Sequence, residues 1–248
     1  MNLSNKVAVI TGGSGGLGRE LAFSFLRDKV KVILLYHSNP DKVKDIVQEA
    51  ESKGGVCRAF SLDVSNPGSV TQAFQEILTT MDRIDILVNG AGVTYNAMSW
   101  TLPDVNWIST LNTNLTGAFY CSKAVLPGMR SQKWGRIINL SSVVAHTGVP
   151  GTAAYAASKA GLEGMTRCMA VEVASKGITV NALALGYFEA GIIAQVPEPE
   201  LTKITQAIPL KRLGFVQEFT QVIKFLCSDE AAYITGQTIH VNGGLILK

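Results

Sequence analysis

Short, unbroken apolar runs alternate along this chain with longer stretches whose apolar residues recur every three or four positions. The runs KVAVI (6–10), KVILLY (31–36), VCRAFSLDV (56–64), IDILVNGAG (84–92), GRIINLSS (135–142) and ITVNALAL (178–185) read as strands, with a short last one at 238–241. Between them, 17–27, 41–53, 67–81, 110–132, 153–176 and 216–228 read as helices. Pro67 suits a first helical turn, whereas Pro127 and Gly128 should disturb the end of the helix that carries them. Runs that are apolar at every position belong to strands covered on both faces, as in a parallel sheet.

Strands separated by helices throughout predict an α/β fold: a Rossmann-type, doubly wound parallel sheet in three α/β/α layers with right-handed crossovers. No linker, repeat or low-complexity tract interrupts it, so residues 1–248 are expected to form a single domain. Gly12, Asp63, Asn89, Ser142 and Gly186 fall at the predicted carboxyl ends of strands, where such sheets open a ligand crevice.

Composition narrows the reading. Of the 248 residues, 47% are hydrophobic and 7% aromatic, which supplies a largely aliphatic core. The formal charge of +3, with no run of five basic residues, argues against nucleic acid as a partner. Cys57, Cys121, Cys168 and Cys227 form no CxxC or ligand-like cluster, so reduced thiols, a cytoplasmic setting and no metal are expected. No apolar run approaches the ~18 residues of a spanning helix, and no basic leader precedes a long apolar segment, so no membrane association is expected.

Candidate chemistry sits in two places. The first strand ends in TGGSGGLG, and an amphipathic stretch follows. Glycines let a backbone approach a pyrophosphate, and a helix start offers it free N–H groups. The second is the stretch SSVVAHTGVPGTAAYAASK (141–159). On a helix, Tyr155 and Lys159 share a face at i, i+4, and Ser142 lies thirteen residues before the tyrosine. An ammonium one turn away and the positive end of the helix both favour the phenolate, so Tyr155 should behave as a tunable acid/base.

Taken together, TGGSGGLG, Asp63-Val64, NGAG at 89–92, Asn114, Ser142, the Tyr155-x-x-x-Lys159 pair and the closing ITGQTIHVNGG resemble the short-chain dehydrogenase/reductase family over the full length. Within it the chain is most similar to the 3-oxoacyl-[acyl-carrier-protein] reductases of fatty-acid synthesis. The resemblance implies that Ser142 holds the substrate carbonyl, Tyr155 gives it a proton, Lys159 binds the nicotinamide ribose and lowers the tyrosine pKa, and Asn114 fixes a relay water. It implies cofactor contacts from Gly12, Ser14, Gly15, Gly16, Leu17, Gly18, His37, Ser38, Asp63, Val64, Asn89, Gly90, Ala91, Gly92, Tyr155, Lys159, Gly186 and Phe188. Residues 187–212 would form a substrate lid, with Trp100, His146, Val149 and Tyr187 at the pocket mouth.

Three departures stand out. The family's paired asparagines appear as Asn89-Gly90, its Pro-Gly after the sixth strand as Leu185-Gly186, and its nicotinamide-touching threonine as Ala190, which implies a looser grip on the cofactor. At 36–39 the sequence YHSN offers no carboxylate for a ribose 2′-hydroxyl, favouring NADP(H) over NAD(H), with NAD(H) still possible. Lys133 and Lys176 fall where carrier-dependent relatives have docking arginines. A homotetramer is implied too, built on the 114–132 and 155–176 helices and the C-terminal strand, with Ala160, Met165, Met169 and Val173 compatible with either an interface or core. Two other readings use the same scaffold: a dehydrogenase of another alcohol (a sugar, polyol or steroid), and a cofactor-binding protein with eroded catalysis.

Overall fold

The computed structural model describes residues 1–191, 193 and 196–247. Among them β1 (Val7–Thr11), β2 (Lys31–Tyr36), β3 (Cys57–Ser61), β4 (Ile86–Asn89), β5 (Gly135–Ser142), β6 (Ile178–Leu185) and β7 (Thr238–Val241) form one sheet. Its order is β3-β2-β1-β4-β5-β6-β7 and every pairing is parallel. The order reverses direction between β1 and β4, so the crevice of this sheet opens beside the glycine turn that follows β1.

Alternate side chains of each strand feed opposite cores. Ala8 and Ile10 pack with Leu21 and Phe25 of α1 (Gly16–Arg27), Ile46 of α2 (Pro40–Ser52) and Phe219 and Ile223 of α8 (Val216–Cys227). Val7 and Val9 pack with Phe74 and Ile77 of α3 (Pro67–Met81), Val125 and Met129 of α5 (Gly117–Gln132) and Met169 and Val173 of α6 (Ala153–Val173). The three α/β/α layers follow. Among the described residues no helix is long and apolar enough to cross a membrane.

Some boundaries differ from the pattern. The expected 110–132 helix begins earlier, as α4 (Asp104–Leu111), and passes through a π-turn at Asn112–Thr116 before continuing as α5. Pro127 does not break it. The helix runs to Gln132 because Val125 and Met129 anchor the turns on either side in the core. The third strand stops at Ser61, two residues short of Asp63. The remaining helix, α7 (Glu198–Ala207), lies in the lid segment, of which 192, 194 and 195 are outside the described residues.

Met169 and Val173 belong to the core and Met165 packs against it, so the interface reading of that face does not hold for them. The outward face of α6 instead carries Ala157, Ala160, Cys168 and Val171.

Candidate active site

β5 ends on Ser142, whose extended backbone leads into a single 3-10 turn, and its Oγ accepts the Val144 N–H at 3.2 Å. Tyr155 is the third residue of α6 and is largely buried. Three influences act on its phenol: burial pushes the pKa up, the bond from Ser142 lowers it, and nearby Tyr187 raises it further. The net direction is upward. This corrects the expectation that Lys159 makes Tyr155 acidic in this structure. Lys159 is itself buried, and losing water pushes its ammonium from an ordinary 10.5 down to about 8. Its Nζ donates to the Leu140 carbonyl at 2.7 Å and sits 5.5 Å from the centre of the Tyr155 ring. Spacing brings the pair together, but burial is the largest influence on each of them.

Asn114 lies in the π-turn and is 1% exposed. Its Oδ1 accepts the Val93 N–H at 2.8 Å, and its Nδ2 donates to the Val93 carbonyl at 2.9 Å and to Ser158 Oγ at 3.1 Å. Ser158 Oγ in turn donates to the Tyr155 carbonyl at 2.7 Å. Both amide protons are therefore committed to protein, and a water held by this side chain has only the second lone pair of Oδ1 to use. A Cβ on Gly92 would lie 3.3 Å from Asn114 Oδ1 and 3.7 Å from Lys159 Nζ, so glycine lets the backbone run close to both.

The glycine turn has the shape a dinucleotide requires. Gly12 adopts φ +73°, and a Cβ there would meet the Gly90 carbonyl at 2.9 Å. A Cβ on Gly18 would meet the Gly12 carbonyl at 2.6 Å, where α1 crosses β1 closely. Gly15 caps α1 without any side-chain bond, and no acidic residue occupies the first turn. The helix start thus keeps its N–H groups and positive end for an anion. Ala190 and Gly191 of the lid segment lie against Gly16 and Leu17.

Thr11, which the sequence pattern did not single out, accepts the N–H groups of both Gly90 and Ala91 at 3.0 Å. The contact left open by Gly90 is thus made by backbone, and a side chain at 90 would collide with the Thr11 carbonyl at 2.9 Å.

Other expected contacts are placed differently. The Asn89 amide turns inward, donating to Asn139 Oδ1 at 2.8 Å and Ser122 Oγ at 3.0 Å, so its side chain braces β4, β5 and α5 instead of facing the crevice. Phe188 is 5% exposed and packs edge-on against Phe219, with ring centres 5.1 Å apart; only its backbone is left for a ligand. Asp63 Oδ1 accepts from Ser65 N at 2.9 Å and Ser65 Oγ at 2.7 Å, bonds that hold its carboxyl below the usual range with help from His37 nearby. Val64 packs against Gly117, at the start of α5. His37 and Ser38 are exposed beyond β2. Gly186 meets the backbone at Asn242 so closely that a Cβ would lie 2.7 Å from its Cα.

The mouth residues divide as well. Trp100 is 82% exposed, Val149 is exposed, and His146 is half-buried beside Glu163. Tyr187 does line a cavity of about 250 Å³ with Ile208, Leu210, Arg212, His240 and Asn242.

The Lys133 backbone lies against Gly177, the residue after Lys176, since a Cβ on Gly177 would lie 2.5 Å from the Lys133 carbonyl. The two lysines precede β5 and β6, however, and Ser142 ends β5. Seven extended steps, roughly 23 Å, separate the two edges of the sheet. Within one chain these lysines therefore cannot flank the crevice.

A family model described as Enoyl-(Acyl carrier protein) reductase matches residues 12–246. The chain belongs to the short-chain dehydrogenase/reductase family. It is 40% identical over 248 residues to a protein of Pseudomonas aeruginosa named 3-oxoacyl-[acyl-carrier-protein] reductase FabG, covering 100% of both chains. Proteins of the same name from Staphylococcus epidermidis and Aquifex aeolicus are each 38% identical, over 98% of this chain and 100% of the relative, and over 99% of both, respectively. As a member of this family the chain is an NAD(P)-dependent oxidoreductase of keto and hydroxyl groups.

The sequence reading missed Glu163 and His240, which flank His146. Glu163 was findable, because it continues the four-residue spacing of Tyr155 and Lys159.

Proposed function

We propose that the chain reduces the keto group of 3-oxoacyl thioesters presented on an acyl-carrier protein, using NADPH in preference to NADH. The observation that carries this is the Ser142–Tyr155 pair: two hydroxyls converge where one carbonyl oxygen would sit, in a scaffold aligned end to end with reductases of that name. Two donors on a single oxygen suit a ketone becoming an alcohol.

Gly12, Ser14 to Gly18 and the start of α1 would hold the pyrophosphate; Asp63 and Val64 would flank the base; the backbone from Asn89 to Gly92, with Gly186, would border the nicotinamide side. The bound dinucleotide supplies the hydride. Ser142 orients the substrate carbonyl and steadies its developing charge, and Tyr155 gives the proton to that oxygen. Lys159, protonated below about 8, restores the phenol's proton and anchors ribose hydroxyls. Asn114 holds Val93 and Ser158 in place around them. The 187–212 segment would close over the substrate and exclude water.

The cofactor preference rests on the absence of a carboxylate at 36–39, with His37 and Ser38 left to meet a 2′-phosphate. We infer a homotetramer as well. Val105, Ile108, Phe119 and Val171 are exposed on α4, α5 and α6, more apolar surface than those helices would leave to water unpartnered. Docking of an acidic carrier by Lys133 and Lys176 would then serve the crevice of a neighbouring chain. The unpaired cysteines favour a cytoplasmic setting.

A substrate panel tests the function: acetoacetyl thioester, free and carrier-bound, against sugar, polyol and steroid alcohols, each with both cofactors. Turnover of the thioester with NADPH is expected. Turnover confined to other alcohols, or cofactor binding without turnover, would reject the proposal.

A further inference from the structure

Glu163 stands one turn beyond Lys159 on the inner face of α6 and is only 5% exposed. A carboxylate buried so far needs bonded partners. A single oxygen, Oε1, has two: the Ser141 hydroxyl donates to it at 2.6 Å, and His146 Nε2 lies 3.0 Å away. These partners bracket Ser142. Ser141 precedes it on β5, and His146 ends the turn that follows, bonded through its own N–H to the Val143 carbonyl at 2.9 Å. From the other side, β7 sets the ring of His240 4.8 Å from that of His146, at 56°. The charged and titratable groups around Glu163 are therefore Lys159 on α6, His146 on the turn and His240 behind it.

We propose that Glu163 is a positioning residue, which clamps the 141–146 segment to α6 and so holds the Ser142 hydroxyl on Tyr155. The physical reason is the sharp change of path at Ser142. An extended strand passes directly into a 3-10 turn there, and among the described residues only the Val144 N–H and Tyr155 itself hold the Ser142 side chain. A carboxylate anchored on the same helix as Tyr155 ties both flanks of Ser142 to the helix that carries its partner. Displacing one reacting group by about 1 Å can cost a hundredfold in rate. The inference rests on the reductase reading only for its rate assay.

The experiment compares Glu163→Leu, Glu163→Gln and Ser141→Ala with wild type. Glutamine keeps an acceptor oxygen for both partners, and leucine keeps the bulk with none. In Glu163→Leu, kcat for acetoacetyl thioester should fall about ten- to hundredfold with KM for the cofactor unchanged. The Tyr155 phenol should titrate at higher pH, since a looser Ser142 no longer favours the phenolate. Glu163→Gln should retain the wild-type titration. Should Glu163→Leu fail to fold, Ser141→Ala removes one arm and should show the same upward movement in smaller measure.

Tyr155 ionisation, followed by ultraviolet phenolate absorbance against a Tyr155→Phe reference, reports the same shift without turnover. A folded Glu163→Leu with unchanged kcat and unchanged phenol titration would overturn the proposal, and so would Glu163→Gln as impaired as leucine. Wild-type protein inactive on every 3-oxoacyl thioester would instead overturn the functional reading, leaving the phenol titration to decide this one.

Discussion

Replacing Lys159 with methionine removes the amine while keeping most of the side chain's length. The amine is buried, and its partner is a neutral carbonyl, Leu140 O at 2.7 Å. Its displacement from 10.5 to about 8 corresponds to about 3 kcal/mol against the charged form. Methionine forfeits the bond to Leu140 and strands that carbonyl, a loss of about 1–2 kcal/mol. Lys159→Met should therefore be more stable than wild type near neutral pH by about 1–2 kcal/mol, roughly 3–6 °C in midpoint, although turnover collapses.

The pH dependence separates this cause from any other. Between about 8 and 10.5 the unfolded lysine holds its proton and the folded one has released it, so wild-type stability rises with pH across that window. The variant lacks this rise, and its advantage should shrink by about 2 kcal/mol from about pH 7.5 to about pH 9.5. Urea unfolding at both pH values reads the difference directly. A variant no more stable than wild type near neutrality, or an advantage that does not vary with pH, would refute the reasoning.

Three further outcomes are expected. Tyr155→Phe should lower kcat on acetoacetyl thioester by about 10²–10⁴-fold while cofactor fluorescence titration stays as in wild type; unaltered turnover would remove Tyr155 from the chemistry. Gly12→Ala places a side chain at φ +73° against the Gly90 carbonyl, so it should lose about 1–3 kcal/mol in chemical unfolding and most of its cofactor affinity. Ala190→Thr puts a hydroxyl beside Gly16 and should tighten cofactor binding severalfold by fluorescence titration; a weaker complex would show that Ala190 does not loosen the site.

The sheet was legible because parallel strands buried on both faces write themselves as unbroken apolar runs, and the glycine turn because only glycine accepts the contacts at Gly12 and Gly18. The π-turn around Asn114 was not, since a slip in backbone hydrogen bonding leaves no periodicity to read. Nor was the direction of the Tyr155 shift: spacing gives neighbours, but desolvation depends on what the rest of the chain packs above them. The far position of Lys133 and Lys176 was present in the sequence, just ahead of β5 and β6, while Ser142 closes β5. Strand direction alone puts them at the opposite edge.

The charge arrangement within α6 gives the site its direction. Tyr155, Lys159 and Glu163 follow at four-residue intervals, so the nearest carboxylate to the lysine along the helix is Glu163. Had the two paired, Lys159 would be held in its charged form by a salt bridge and its field at Tyr155 largely cancelled. Instead Ser141 and His146 take up Glu163 Oε1, and Leu140 O takes the ammonium. Among the described residues the positive charge has no counter-ion, which is costly to the fold and leaves it available to whatever negative charge develops at the Tyr155 oxygen. The same hydrogen bonds that fix the β5 terminus around Ser142 thus keep the lysine's charge free for the reaction.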